Sequence, residues 1–121
     1  MIKFNENRPI YIQIIEKVKA DIISGKIKAG DKMPSVREFS ETFKVNPNTV
    51  QRVFTELERE GITYSKRGVG TFVSQEEGFL EKLQTTQAHE FTERFVDEMI
   101  AMGLTKNQII ESIHEVFQNK V

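Results

Sequence analysis

Apolar residues recur at helical spacing from the start of the chain, at Ile10, Ile14, Ile15, Val18, Ile22 and Ile23. Pro9 suits the first turn of such a helix, and Gly25 suits its end because glycine tolerates positive φ. Residues 27–34 read as a short strand or turn, with Gly30-Asp31 at the bend and Pro34 blocking helix up to that point. Ser35 then predicts an N-cap, and Glu38 three residues on completes a capping box. That helix runs to about Phe43 with Val36, Phe39 and Phe43 inward. Val45-Asn46-Pro47-Asn48 breaks it. Either Asn46 or Asn48 caps the next helix, and Pro47 fits its first turn. Val50, Val53, Phe54 and Leu57 form one stripe of this helix, which ends at Gly61. Asn48, Thr49, Gln51, Arg52 and Thr55 form its other face.

The period then changes. Ile62-Thr63-Tyr64-Ser65 and Thr71-Phe72-Val73-Ser74 are β-rich runs around Lys66-Arg67-Gly68-Val69-Gly70, which predicts a hairpin. Gln75-Glu76-Glu77-Gly78 marks a joint. Beyond it a long amphipathic helix is expected from Phe79 to Met102, with Leu80, Leu83, Ala88, Phe91, Phe95 and Met99 among its apolar positions and Gly103 at its end. Thr105 and Gln108 make another capping box, followed by a helix that places Ile109, Ile110, Ile113, Val116 and Phe117 on one side. The expected fold is mainly α with a small β-hairpin. A helix-turn-helix domain carrying a wing spans residues 1–75, and a two-helix tail spans residues 76–121.

Charge sharpens this division. The 121-residue chain has a net charge of −1. Residues 1–75 hold 13 Lys and Arg against 9 Asp and Glu, whereas residues 76–121 hold 4 against 9. A basic front and an acidic back suit a first part that meets a polyanion and a second that stays clear of it. The absence of cysteine excludes disulfides, thiol nucleophiles and zinc–thiolate sites. No apolar leader and no membrane-length apolar run occur, so a cytoplasmic protein without a membrane partner is expected.

A short helix, a tight turn and a second helix form the unit that lays its second helix in a major groove about 12 Å wide. That helix opens here with Asn48, Thr49, Gln51 and Arg52. Asn and Gln pair with adenine in bidentate fashion, Arg pairs with guanine, and Thr hydrogen-bonds or touches a thymine methyl. Ser35 at a helix start and Arg37 just inside it suit a phosphate or groove-edge contact. Lys66, Arg67, Gly68 and Gly70 put two cations on a turn with little side-chain bulk, able to approach phosphates closely. Each residue has a plainer reading as a cap, a solvent-facing side chain or a solvated loop. Their order within one short stretch favours double-stranded DNA as the partner. The rival is a winged helix used for protein–protein contact, which would present an apolar patch in place of this polar face.

Four motifs, Pro9-Ile-Tyr-Ile-Gln-Ile-Ile, Ile27-Lys-Ala-Gly-Asp-Lys-Met-Pro-Ser-Val-Arg-Glu-Phe, Asn46-Pro-Asn-Thr-Val and Gly68-Val-Gly-Thr-Phe-Val, occur in order over residues 9–74. Together they resemble the DNA-binding domain of the GntR family of transcription regulators, and the short tail resembles its small YtrA-type branch. The resemblance implies a winged-helix domain, a helical dimerisation region and operator binding as a homodimer, with repression the usual outcome. It also implies that Arg37, the residues from Asn46 to Gln51, Gly68, Gly70 and Thr71 meet DNA.

The tail is too short to enclose a drug-sized pocket by itself. It is expected to pair with its copy through Phe91, Phe95, Met99, Ile109, Ile113 and Phe117 in a two-fold dimer. Any small-molecule effector stays unidentified. Glu111 and His114 have the spacing of a carboxylate metal site, and His89 lies near Glu90 and Glu93. A single such motif is explained by surface charge, so no metal and no cofactor are expected. With two histidines, no cysteine and no phosphate loop before a helix, no catalytic constellation appears either.

Overall fold

A computed structural model describes residues 4–120, which form five helices and one two-stranded antiparallel sheet. By their contacts the residues divide into two compact units, with the boundary between Gln84 and Thr85.

In the first unit, α1 spans Ile10–Ser24. Pro9 stands at its N-cap position, and Gly25 closes it in the left-handed conformation at φ 86°, donating its N–H to the Ile22 carbonyl. The helix buries Ile14, Ile15, Val18 and Ile22 on one stripe. Each such aliphatic side chain removed from water contributes roughly 1.5–3 kcal/mol before conformational entropy is set against it. Helix α2 is Val36–Phe43, and the expected capping box is formed. Ser35 Oγ accepts the Glu38 N–H at 3.0 Å, and Glu38 Oε1 accepts the Ser35 N–H at 3.0 Å.

Helix α3 is Pro47–Arg59, and Asn46 is its cap, accepting the Asn48 N–H at 2.8 Å. Between α2 and α3 the chain turns at Lys44, a non-glycine residue with φ 55°. The Val45 N–H returns to the Ser40 carbonyl at 3.1 Å, and Ser40 Oγ donates back to the Val45 carbonyl. This closed turn is why a strained residue is tolerated there.

Strands β1 (Thr63–Lys66) and β2 (Gly70–Val73) pair in the register Thr63↔Val73 to Lys66↔Gly70. The segment between α1 and α2 joins this hairpin through an isolated Lys32↔Phe72 bridge. Supporting bonds run from the Gly30 N–H to the Val73 carbonyl (2.9 Å), from Met33 to Thr71 (2.7 Å) and from Val73 back to Asp31 (2.9 Å). The stretch expected as strand or turn is thus a turn that lends one bridging residue to the wing.

One core unites these elements. Val50, Val53, Phe54 and Leu57 of α3 pack with the α1 stripe, Met33, Phe39, Ile62 and Val73, and Phe79 and Leu83 beyond the hairpin join them. Phe39 stacks on Phe43 (centroids 4.4 Å) and meets Phe54 edge-on (5.6 Å). One charged side chain is also buried here. The Lys19 side chain is 6% exposed, and its ammonium reaches Glu60 Oε1 at 3.0 Å, tying α1 to the end of α3.

Helix α4 is Phe79–Ala101, and the unit boundary falls within it. In the second unit Gly103 follows at φ 87°, Thr105 caps α5 (Lys106–Asn119), and the Thr105–Gln108 capping box is formed as expected. Ile109 is buried, and Met99 is half-buried. Phe91, Phe95, Ile113 and Phe117 are exposed, the last at 65%. No helix among the described residues is long and apolar enough to cross a membrane.

Candidate nucleic-acid interface

Helix α3 divides cleanly around its axis. Val50, Val53, Phe54 and Leu57 are buried, while Asn46, Pro47, Asn48, Gln51, Arg52 and Thr55 are exposed and Thr49 is half-exposed. The 3.6-residue repeat forces this division, because burying one stripe turns the intervening residues outward. The capping bond at Asn46 fixes the first turn: the Asn48 N–H donates to Asn46 Oδ1 at 2.8 Å and the Thr49 N–H to the Asn46 carbonyl at 2.9 Å, so Asn48 and Thr49 offer their side chains at this helix start. Further along, Thr55 spends its hydroxyl on the Gln51 carbonyl at 2.9 Å.

The wing stands beside this face. Lys66, Arg67, Gly68 and Val69 form its exposed tip, closed by the Val69 N–H donating to the Lys66 carbonyl at 2.9 Å, with Gly68 at φ 76°. Tyr64 and Phe72 stack across the strands at 5.9 Å, and the Lys66 ammonium lies 5.0 Å from the Phe72 ring centre. A cleft of about 330 Å³ separates wing from helix. Ser35 from the start of α2, Gln51 from α3, and Gly70 and Thr71 from the wing all line it. Four of the sequence-predicted residues, distant in the chain, therefore share one cavity.

The remaining predicted residues are placed differently. Arg37 is on the exposed side of α2, with its Nε 3.3 Å from Glu41 Oε1. Both side chains are largely in water, so this pair adds little stability and yields readily to a stronger anion. Arg52 turns toward α1. Its guanidinium lies 3.7 Å from the centre of the Tyr11 ring and donates to Tyr11 Oη at 3.1 Å. Planar stacking of this kind holds the arginine in one orientation.

Local hydrogen bonds set the protonation of the nearby acids. Glu38 is held below the usual carboxylate range, first by the Ser35 backbone N–H and then by the Ser35 hydroxyl. Glu56 is lowered likewise by its hydrogen bond with Arg59, and the arginine is raised in return. Glu58, which also lines the cleft, accepts the Ser65 hydroxyl at 2.6 Å and so links α3 to β1. Among the described residues, no group of three or more His, Cys, Asp or Glu is gathered to hold a metal ion. His89 instead makes a 2.6 Å contact with Glu93 along α4.

Three residues near this surface escaped the sequence reading. Tyr11 lies in the first helix outside its expected apolar positions, and its partnership with Arg52 spans 41 positions. Glu58 carried no motif. Lys32 sat in a presumed turn, yet it bridges to the wing and lines the cleft. The bridge was legible only in the alternative reading of residues 27–34 as a strand.

Comparison with known proteins bears on the same surface. Residues 10–73 match the gntR family of bacterial regulatory proteins. The chain is 40% identical over 111 residues to the uncharacterised HTH-type transcriptional regulator YhcF of Bacillus subtilis, covering 92% of each chain. A GntR family transcriptional regulator from Listeria monocytogenes superposes with a TM-score of 0.79 at 38% identity, covering 93% of this chain and 98% of that one. The likeness to both extends past the wing into the two tail helices. The DNA-binding domain of AraR, solved in complex with its operator ORX1, superposes with a TM-score of 0.53 at 32% identity, over 61% of this chain and 90% of that one.

Proposed function

The chain belongs to the gntR family of bacterial regulatory proteins, a family of DNA-binding transcription regulators and not of enzymes, and we propose that it is a repressor that binds a near-palindromic operator as a homodimer. The observation that carries this reading is the shared cleft. A polar recognition face, a capped helix start and a cationic wing tip border one another on the first unit. In a duplex, Asn48, Thr49 and Gln51 read base edges, while Ser35, Asn46 and Pro47 bring backbone close to phosphates. Arg37, Lys66 and Arg67 neutralise phosphates, and Gly68, Gly70 and Thr71 let the wing lie near the sugar-phosphate edge. Arg52, held by Tyr11, serves the phosphate side of the groove better than a base edge. The likeness to the operator-bound AraR domain supports DNA as the partner.

The homodimer draws support from the second unit. Phe91, Phe95, Ile113 and Phe117 are exposed in a single chain, and apolar faces of this kind are normally covered in solution. A two-fold partner covers them with the same patch. Met99 is half-buried, and Ile109, buried already within one chain, adds less new area. Two recognition helices then enter successive major grooves about 34–36 Å apart. The protein works in the cytoplasm, where its DNA is, and needs no cofactor for binding.

Selection of duplexes from a randomised pool of about 30 base pairs, enough for two half-sites one turn apart, tests the reading directly. Enrichment of an inverted repeat is the expected outcome. A folded protein that enriches nothing overturns it.

A further inference from the structure

Several cations of the first unit already have partners. Arg8 pairs with Glu16, Lys17 with Asp21, Lys19 with Glu60, Arg37 with Glu41 and Arg59 with Glu56, while Arg52 lies on Tyr11. Lys32 makes no salt bridge among the described residues, although two carboxylates line the same cleft. Glu38 feels the lysine charge but takes the Ser35 N–H as its hydrogen-bond partner, and Glu58 takes the Ser65 hydroxyl.

Lys32 is also held in place. Its backbone bridges to Phe72, and the flanking Met33 N–H bonds to the Thr71 carbonyl at 2.7 Å. Its side chain runs across the face of Gly70. A Cβ built on Gly70 would come within 2.8 Å of Lys32 Cε and 3.6 Å of its Nζ. Gly70 therefore does two things. It permits φ 143°, and it leaves the groove in which the lysine stem lies. Gly70 is in turn the strand partner of Lys66, so Lys32, Lys66 and the neighbouring Arg67 gather along one edge of the wing.

We infer that Lys32 is a DNA-backbone contact of this domain, its ammonium laid across Gly70 to pair with a phosphate beside the groove that α3 reads. The Lys32 ammonium is positioned and makes no direct salt bridge, so it breaks none when it meets phosphate, unlike Arg37, which must leave Glu41. The site takes a phosphodiester and no particular base, so it contributes affinity and not sequence preference. The inference rests on the operator reading and deepens it.

The test uses the full-length protein, the duplex recovered by selection and a scrambled duplex of equal length, with binding followed by fluorescence anisotropy across a salt series. Each phosphate contact contributes about 0.9 to the slope of log K against log salt. Lys32→Ala removes one contact per subunit, so a dimer loses about 1.8 from that slope, and both duplexes weaken by similar factors. Lys32→Arg keeps the wild-type slope, and Gly70→Ala, which displaces the stem, loses slope as Lys32→Ala does. Circular dichroism shows whether each variant keeps its fold. An unchanged slope in folded Lys32→Ala overturns the inference, as does a loss confined to the selected duplex. Failure of the operator reading itself looks different, because the wild-type protein would then not distinguish the two duplexes.

Discussion

Removing Glu60 should cost much more than removing Lys19, although the two form one ion pair. The Lys19 side chain is 6% exposed and Glu60 is 32% exposed, with 3.0 Å between Nζ and Oε1. In Glu60→Ala the ammonium stays buried without its counter-charge. Stranding one partner of a fully buried pair costs about 3–5 kcal/mol, and the partial exposure of Glu60 lowers this to about 1–3 kcal/mol because water reaches part of the site. In Lys19→Met the apolar stem is kept in outline and Glu60 turns into solvent, so the change is about 1 kcal/mol or less. The double variant removes the stranded charge and recovers most of the loss, a coupling that a double-mutant cycle measures. Urea denaturation at pH 7 and fixed protein concentration supplies the midpoints, and an unchanged m-value ensures that stability alone is compared. Equal losses in the two single variants, or a larger loss in Lys19→Met, would refute the argument that burial and not attraction dominates this pair.

Three further outcomes follow from local geometry. Lys44→Gly should raise stability by roughly 0.5–1 kcal/mol, because Lys44 sits at φ 55° where glycine is unstrained, and thermal melts of the two proteins check the sign. Glu38 has a lowered folded-state pKa, so its charge stabilises the fold above its unfolded pKa, and that stability disappears as pH falls through the folded value. The gap in urea midpoint between wild type and Glu38→Gln should accordingly close as pH falls from neutral through the lowered titration of Glu38, and a gap constant with pH would exclude the carboxylate as its source. Tyr11→Ala frees the Arg52 guanidinium and should weaken operator binding about two- to fivefold at unchanged helicity, the loss expected from about 0.5–1 kcal/mol of exposed stacking; affinity identical to wild type would show that Arg52 needs no such support.

Local chemistry wrote most of this fold into the chain. Ser35 with Glu38, Thr105 with Gln108, and Gly25 mark helix ends through bonds made within a few residues, and each was readable for that reason. The choice between Asn46 and Asn48 as cap was not, because either offers the same oxygen and only the course of the turn selects Asn46. Residues whose roles arise across long separations were hidden. Lys19 is an ordinary charged residue on a helix until Glu60 arrives 41 positions later. Gln87, a polar residue outside the expected apolar stripe, is buried, whereas Leu80 on that stripe is exposed. Periodicity reports a face but not what covers it. For the same reason the helix-turn-helix motif pointed to Ser35, Gln51, Gly70 and Thr71 one at a time, and the cleft they share required the fold.

The split of α3 into a buried and an exposed stripe bears on how such a reader changes its target. Val50, Val53, Phe54 and Leu57 answer to the interior, and none of them meets the groove in the proposed docking. Asn48, Thr49 and Gln51, which face the groove in the proposed docking, contribute little to the interior. Substitutions in the second set can therefore accumulate without loss of folding, and a duplicated gene can acquire a new operator while its copy keeps the old one. Divergence of target within the lineage is then limited by the DNA sites available, and not by the tolerance of the scaffold.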